Sequence, residues 1–99
     1  MAEVKWTLQA LDDLESICLF IGRDSPQAAA VFAQRAFRST DPLVNFPRLG
    51  RVVPELDIEY IREIILGNYR VIYRIEDEHV QILTVHHGAR LLDVGRLGG

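Results

Sequence analysis

The stretch from Ile61 to Arg90, IREIILGNYRVIYRIEDEHVQILTVHHGAR, constrains the fold more than any other part of the chain. It holds two short turns, Gly67-Asn68 and Asp77-Glu78, each between segments rich in Ile, Val, Leu and Tyr. Gly-Asn between such runs signals a hairpin, because a two-residue turn needs backbone at φ > 0 and these residues tolerate it. Together the turns predict a three-stranded antiparallel unit. Turns fix register, and register decides which side chains share a face. Leu66 is expected opposite Tyr69, Ile65 opposite Arg70, Ile64 opposite Val71 and Glu63 opposite Ile72. After the second turn, Glu76 is expected opposite His79, Ile75 opposite Val80, Tyr73 opposite Ile82 and Arg70 opposite Val85.

Side chains on a strand alternate between faces. One face therefore collects Ile64, Leu66, Val71, Tyr73, Ile75, Val80 and Ile82, and is expected to be the core. The other collects Ile61, Glu63, Ile65, Arg70, Ile72, Arg74, Gln81, Leu83, Val85 and His87. Its mixture of charge with Ile, Leu and Val suggests a surface that meets a partner. The plainer alternative is that the chain's own C-terminal segment covers it.

The first half reads as a short strand and two helices. Glu3 to Trp6 is β-prone, and Thr7 is a good N-cap with Trp6 and Leu11 spaced as a hydrophobic staple. Leu11, Leu14, Ile17, Cys18 and Ile21 recur at helical spacing. Gly22 ends that helix, and Ser25-Pro26 starts another as N-cap and first helical residue. Ala29, Phe32, Ala33, Ala36 and Phe37 form its stripe, and Leu43 and Phe46 are expected to close the core beyond Pro42. The order is β-α-α-β-β-β: an α+β fold with a helical hairpin packed on a small antiparallel sheet. Its 99 residues are read as a single domain spanning 1–99.

Charge bears on function. The formal net charge is −3. A chain that grips nucleic acid must neutralise phosphates and usually carries a basic surface, so no sequence-specific nucleic-acid binding is expected. No apolar run approaches the roughly 18 residues of a membrane span, and MAEVKW has no signal-peptide core. The lone Cys18 sits in a helical pattern and reads as a structural thiol. A cytoplasmic protein without cofactor fits these features.

His86-His87 invites a metal reading. Adjacent strand residues point to opposite faces, and no carboxylate or Cys follows at ligand spacing, so no metal site is expected. No nucleophile triad, phosphate loop or dinucleotide fingerprint is present. The one cluster of catalytic residue types is Arg70, Arg74, His87 and Arg90. Arginines and a histidine can stabilise charge and move protons in phosphodiester cleavage. Glu63 lies close to Arg70 and Arg74 in the register. An exposed ion pair, worth about 0–1 kcal/mol, is the economical account of it.

These pieces resemble the RelE/ParE superfamily of bacterial type II toxins, and its ParE branch in particular. The resemblance rests on Ala10, Asp13 and Leu14, on Ser25-Pro26 with Ala28-Ala29, and on NFPRLGR from Asn45 to Arg51. It continues in IRE at Ile61 to Glu63, NYRVIYRI from Asn68 to Ile75 and HGAR from His87 to Arg90. It implies a ParE-like toxin that inhibits DNA gyrase by binding, and a ParD-like antitoxin in a two-plus-two assembly. The alternative within the superfamily is a RelE-type ribosome-dependent mRNA endoribonuclease, for which Arg70, His87 and Arg90 are the catalytic candidates. The strand before Arg70 lacks the lysines of that branch, and the tail LLDVGRLGG has no Tyr or His. For antitoxin binding the expected residues are Ile61, Glu63, Ile65, Arg70, Ile72, Arg74, Leu83 and Val85. For toxicity they are Arg90, Leu91, Leu92, Val94, Arg96 and Leu97, because the tail is apolar yet too short for a helix of its own in water.

Overall fold

The computed structural model describes residues 1–90 and Leu92. Along the chain run β1 (Glu3–Trp6), α1 (Leu8–Gly22), α2 (Pro26–Thr40) and a 3-10 turn (Asp41–Val44). They are followed by β2 (Arg51–Val52), β3 (Ile61–Leu66), β4 (Tyr69–Glu76) and β5 (His79–His87). The strands form one sheet in the order β1-β5-β4-β3-β2. β1 pairs with β5 in parallel, and the other neighbours are antiparallel. The sheet is therefore mixed, with one more short strand than the sequence suggests.

Both helix starts form as their cap residues dictate. The Thr7 hydroxyl oxygen accepts the Ala10 N–H at 3.1 Å, and Ser25 does the same for Ala28 at 3.1 Å. α1 buries Ala10 and Leu14 and packs Ile17 and Cys18 against the main core. The apolar stripe thus runs through Ala10, while Leu11 is 39% exposed. The Trp6 ring packs tilted against Phe37 of α2 at 4.8 Å and donates its indole N–H to Thr40. Leu43 is fully buried, but Phe46 turns outward and is 64% exposed. Gly50 and Pro47 explain that turn: both are tied to the Tyr73 hydroxyl, which draws the backbone inward and leaves the Phe46 ring outside.

The β3–β4 register is the expected one at every pair from Leu66↔Tyr69 to Glu63↔Ile72. Between β4 and β5 it holds from Glu76↔His79 to Tyr73↔Ile82 and then slips. Ile72 pairs with Thr84, so Leu83 is an extra residue in β5, a β-bulge. Beyond the bulge Val85 pairs with Val71, His86 with Arg70 and His87 with Tyr69. Val85 therefore joins the main core with Val71, Tyr73, Val80 and Ile82, rather than the opposite face.

That opposite face is not open. Ile61 and Ile72 form a second core cluster with Val53, covered by Leu56, Ile58, Leu83 and Leu92. The segment between β2 and β3 folds back over the sheet, and Leu92 joins it. For Ile61 and Ile72 the cover is the chain itself, but it comes mainly from the segment between β2 and β3, with Leu92 as the described part of the C-terminal segment that was expected there. Their burial stabilises the fold at about 25 cal/mol per Å² of apolar area removed from water.

Candidate functional site

Arg70 is the centre of an ion network on this second face. It is 6% exposed and Glu63 is 1% exposed. Arg70 Nε donates to Glu63 Oε1 at 2.6 Å, and Nη2 lies 2.5 Å from the same oxygen. On the outer edge, Nη1 and Nη2 donate to the two oxygens of Glu55 at 2.5 and 2.7 Å, a bidentate fork. Glu63 uses its other oxygen, Oε2, to accept from Arg51 Nε at 2.5 Å. Strand register builds the arrangement: Glu63 stands directly opposite Arg51 on β2 and diagonal to Arg70 on β4.

Two arginines and two carboxylates balance to zero charge. A lone buried charge would cost several kcal/mol, so mutual neutralisation is the condition for burying Arg70 at all. Glu63 is thus Arg70's partner, but the pair is buried, contrary to the exposed pair expected from the sequence. Hydrogen bonding to Glu55 holds the Arg70 guanidinium firmly in its charged form. The same bond holds the Glu55 carboxyl down at about 2, from an ordinary 4.5.

This sets a sign for acid stability. A carboxylate with a depressed folded-state pKa contributes stability that is present above its unfolded value and lost as pH falls through the folded one. Glu55 should therefore weaken the fold progressively between about pH 4.5 and 2. Thermal melts of the wild-type chain and Glu55→Gln should converge as pH drops through that window. Parallel curves would show that the fork contributes nothing.

Arg74 is outside this network. It lies over the Tyr60 ring at 5.3 Å and its Nε is 3.2 Å from Glu76 Oε1, without hydrogen-bond geometry. With 31% of its side chain exposed, Arg74→Ala should cost no more than about 1 kcal/mol in urea denaturation.

A cleft of about 540 Å³ opens beside the fork, lined by Arg51, Glu55, Ile65, Arg70, His87 and the Gly67–Tyr69 turn. Arg70 and His87 thus share a wall, as the sequence suggested, although the bulge moves His87 to pair with Tyr69. The His87 ring meets the Tyr69 ring edge-on at 5.2 Å, and its Nδ1 accepts the Ala89 N–H at 3.2 Å. Arg90 lines a neighbouring cleft between α1 and the end of β5, with Asp13, Phe20, Tyr69 and His86. His86 Nε2 lies 3.1 Å from the Arg90 carbonyl oxygen.

Of the residues expected to face a partner, Ile61, Glu63, Arg70, Ile72 and Val85 are buried within the chain. Ile65 is 53% exposed, and Arg74 and Leu83 are half-buried. Leu92 packs on the second core cluster. Leu91, Val94, Arg96 and Leu97 lie outside the described residues. Glu55 and Arg51, which complete the network, were missed. Arg51 could have been found from the register of β2 against β3. Glu55 has no signal in the sequence, because it comes from an irregular loop.

The chain matches the model of the ParE toxins of type II toxin–antitoxin systems (parDE) over residues 4–92. It is 37% identical over 92 residues to a protein named toxin RelE2 from Caulobacter vibrioides, covering 92% of this chain and all of that one. Its fold is similar to that in the chromosomal ParDE toxin–antitoxin structure from P. aeruginosa. There the TM-score is 0.72 at 23% identity, over 88% of this chain and 96% of the other. It is also similar to a chain of the toxin–antitoxin complex RelBE2 from Mycobacterium tuberculosis. That TM-score is 0.55 at 28% identity, over 87% and 96% of the two chains. With the family match running from within β1 through both helices, β2 to β5 and the ion network, the chain belongs to the ParE toxins of the RelE/ParE superfamily, the toxin components of type II toxin–antitoxin systems.

Proposed function

We propose that this chain acts by binding rather than by catalysis, as a ParE-like inhibitor of DNA gyrase that a ParD-like antitoxin neutralises in the cytoplasm. The observation that carries the proposal is the state of Arg70. A ribonuclease needs its arginine free to meet the phosphate charge that develops in the transition state. Here every nitrogen of that guanidinium is engaged by Glu55 and Glu63. The net charge of −3 also weighs against a ribosome or RNA ligand.

One observation favours the second reading, a RelE-type ribosome-dependent mRNA endoribonuclease: Arg70 and His87 line the same cleft. The two readings separate on brief expression in bacteria. Gyrase poisoning yields a DNA-damage response and double-strand breaks, with ribosomal messenger profiles intact. Codon-positioned messenger cleavage abolished by His87→Ala would overturn the gyrase reading.

The antitoxin surface is proposed on the accessible part of the sheet, at Ile65, Leu83 and Arg74, and on the outer side of the helical hairpin. Leu8, Leu19 and Val31 are exposed there by 79, 67 and 53%. An amphipathic partner helix could cover such a stripe. A two-plus-two assembly is the proposed stoichiometry, and light scattering of the co-purified pair tests it.

Toxicity is proposed to reside in the segment from Arg90 onward, including Leu91, Leu92, Val94, Arg96 and Leu97. Truncation after Leu91 should abolish growth arrest while leaving antitoxin binding in pull-downs. Full arrest by the shortened chain would refute it.

A further inference from the structure

The two carboxylates on Arg70 are not equivalent. Glu63 sits in β3 with none of its side chain exposed and both oxygens occupied. It fixes the guanidinium plane from within. Glu55 comes from the loop between β2 and β3, has 41% of its side chain exposed and holds only the outer edge of the fork. Its backbone neighbours Val53 and Leu56 are anchored in the second core cluster. The Glu55 side chain, unlike that of Glu63, is thus placed where a competing carboxylate could take over its fork without moving the loop. What it would leave behind is a site: Arg51 and Arg70 against Glu63 alone, one net positive charge, with an empty planar fork at the wall of the cleft.

We infer that Arg70 heads a carboxylate-exchange site, in which Glu55 is the built-in occupant that an acidic side chain of the antitoxin displaces. This rests on the antitoxin reading above and adds how that partner is recognised. The outer edge of a guanidinium takes a planar carboxylate through two parallel bonds, and Glu55 already demonstrates the fit. Exchange of one carboxylate for another leaves the buried charge balanced throughout. Ile65 lines the same cleft and is 53% exposed, so the matching ligand carries an apolar side chain beside its carboxylate. The net charge of −3 repels a polyanionic strand more than it does a ligand with a single acidic side chain, while the vacated site is itself locally positive. A single acidic side chain suffices to fill it.

An internal occupant lowers apparent affinity by the fraction of time it holds the site. Removing it should strengthen partner binding, the opposite of what deleting a contact residue does. Calorimetry would compare the wild-type chain and Glu55→Gln against a ParD-like antitoxin that co-purifies with the wild-type chain. Glu55→Gln is expected to bind about tenfold tighter. In the wild-type chain, carbon-13 NMR should show the Glu55 carboxyl titrating near its ordinary 4.5 in the complex, against about 2 in the free chain. That second measurement needs no substitution and decides the matter if Glu55→Gln does not fold. Equal or weaker binding by folded Glu55→Gln, or a Glu55 carboxyl unchanged in the complex, overturns the exchange. Failure of any ParD-like antitoxin to co-purify with the wild-type chain overturns instead the reading on which it rests. A third arm adds a short single-stranded RNA. Tight binding of that RNA to Glu55→Gln, with no gain for the antitoxin, would make the opened fork a phosphate site and overturn the choice of an acidic protein.

Discussion

Glu63→Ala should destabilise the fold by roughly 3–5 kcal/mol, the cost of removing one partner from a buried ion pair. That approaches the whole stability of a domain of this size. The truncation removes the acceptor for Arg70 Nε and for Arg51 at once. Arg51 can turn to water, since 61% of its side chain is exposed. Arg70, with 7% of its side chain exposed, cannot, and Glu55 alone must then balance it from the rim. The urea midpoint should fall accordingly. Replacing the pair together, Glu63→Leu with Arg70→Met, should recover a large part of the loss, because apolar side chains of similar volume carry no desolvation penalty. A loss under about 1 kcal/mol for Glu63→Ala, the figure for an exposed pair, would show that the network contributes no more than surface charges do.

The contrast between those two magnitudes shows where the sequence stopped being legible. Alternation and turn chemistry were enough to place Glu63 near Arg70, because hairpin register is a local property. Whether the pair is wet or dry is not local. It depends on Val53, Leu56, Ile58 and Leu92 folding over the sheet, and those residues show no periodicity that marks them as a cover. The bulge at Leu83 has the same character. It is met from 76 residues away in the chain, where the Thr7 hydroxyl donates to the Ile82 carbonyl at 2.7 Å and lies 3.3 Å from that of Leu83. A residue that reads from sequence as a helix cap thus also bonds to the last strand at its irregularity. That irregularity sends Val85 into the main core and brings His87 opposite Tyr69, which shifts every site residue beyond position 83 by one place. Helix caps, turns and the core face of the sheet were readable because each depends on neighbours within a few residues. The candidate site was only half readable because it is assembled from a loop, the short edge strand β2 and a bulge in β5 as well as from the hairpin.

Gly50→Ala should be nearly as damaging, by about 3 kcal/mol, through overpacking rather than charge. A Cβ at position 50 would lie 2.5 Å from the Glu63 carbonyl oxygen, 2.8 Å from the Tyr73 hydroxyl and 2.9 Å from Tyr73 Cε1. None of these atoms can yield cheaply. The Glu63 carbonyl is backbone in β3, and Tyr73 is fully buried. The Tyr73 hydroxyl accepts the Gly50 N–H at 2.9 Å and donates to the Pro47 carbonyl at 2.7 Å, while Arg62 Nη1 donates to the Gly50 carbonyl at 2.9 Å. Making room would pull β2 from β3 or push Tyr73 out of the core, and either step breaks bonds that hold the Phe46–Leu49 loop. Separation of β2 would also move Arg51 away from Glu63, so the substitution should disturb the ion network at a distance. Gly67→Ala supplies the comparison. Gly67 has φ 60, but a Cβ there meets nothing within 4 Å. Its cost is then only the left-handed backbone, about 1–2 kcal/mol. Urea denaturation of both variants separates the causes. A Gly50→Ala midpoint equal to that of Gly67→Ala would mean that β2 is loose enough to give way, and that the loop it anchors is not held as tightly as Tyr73 and Arg62 require.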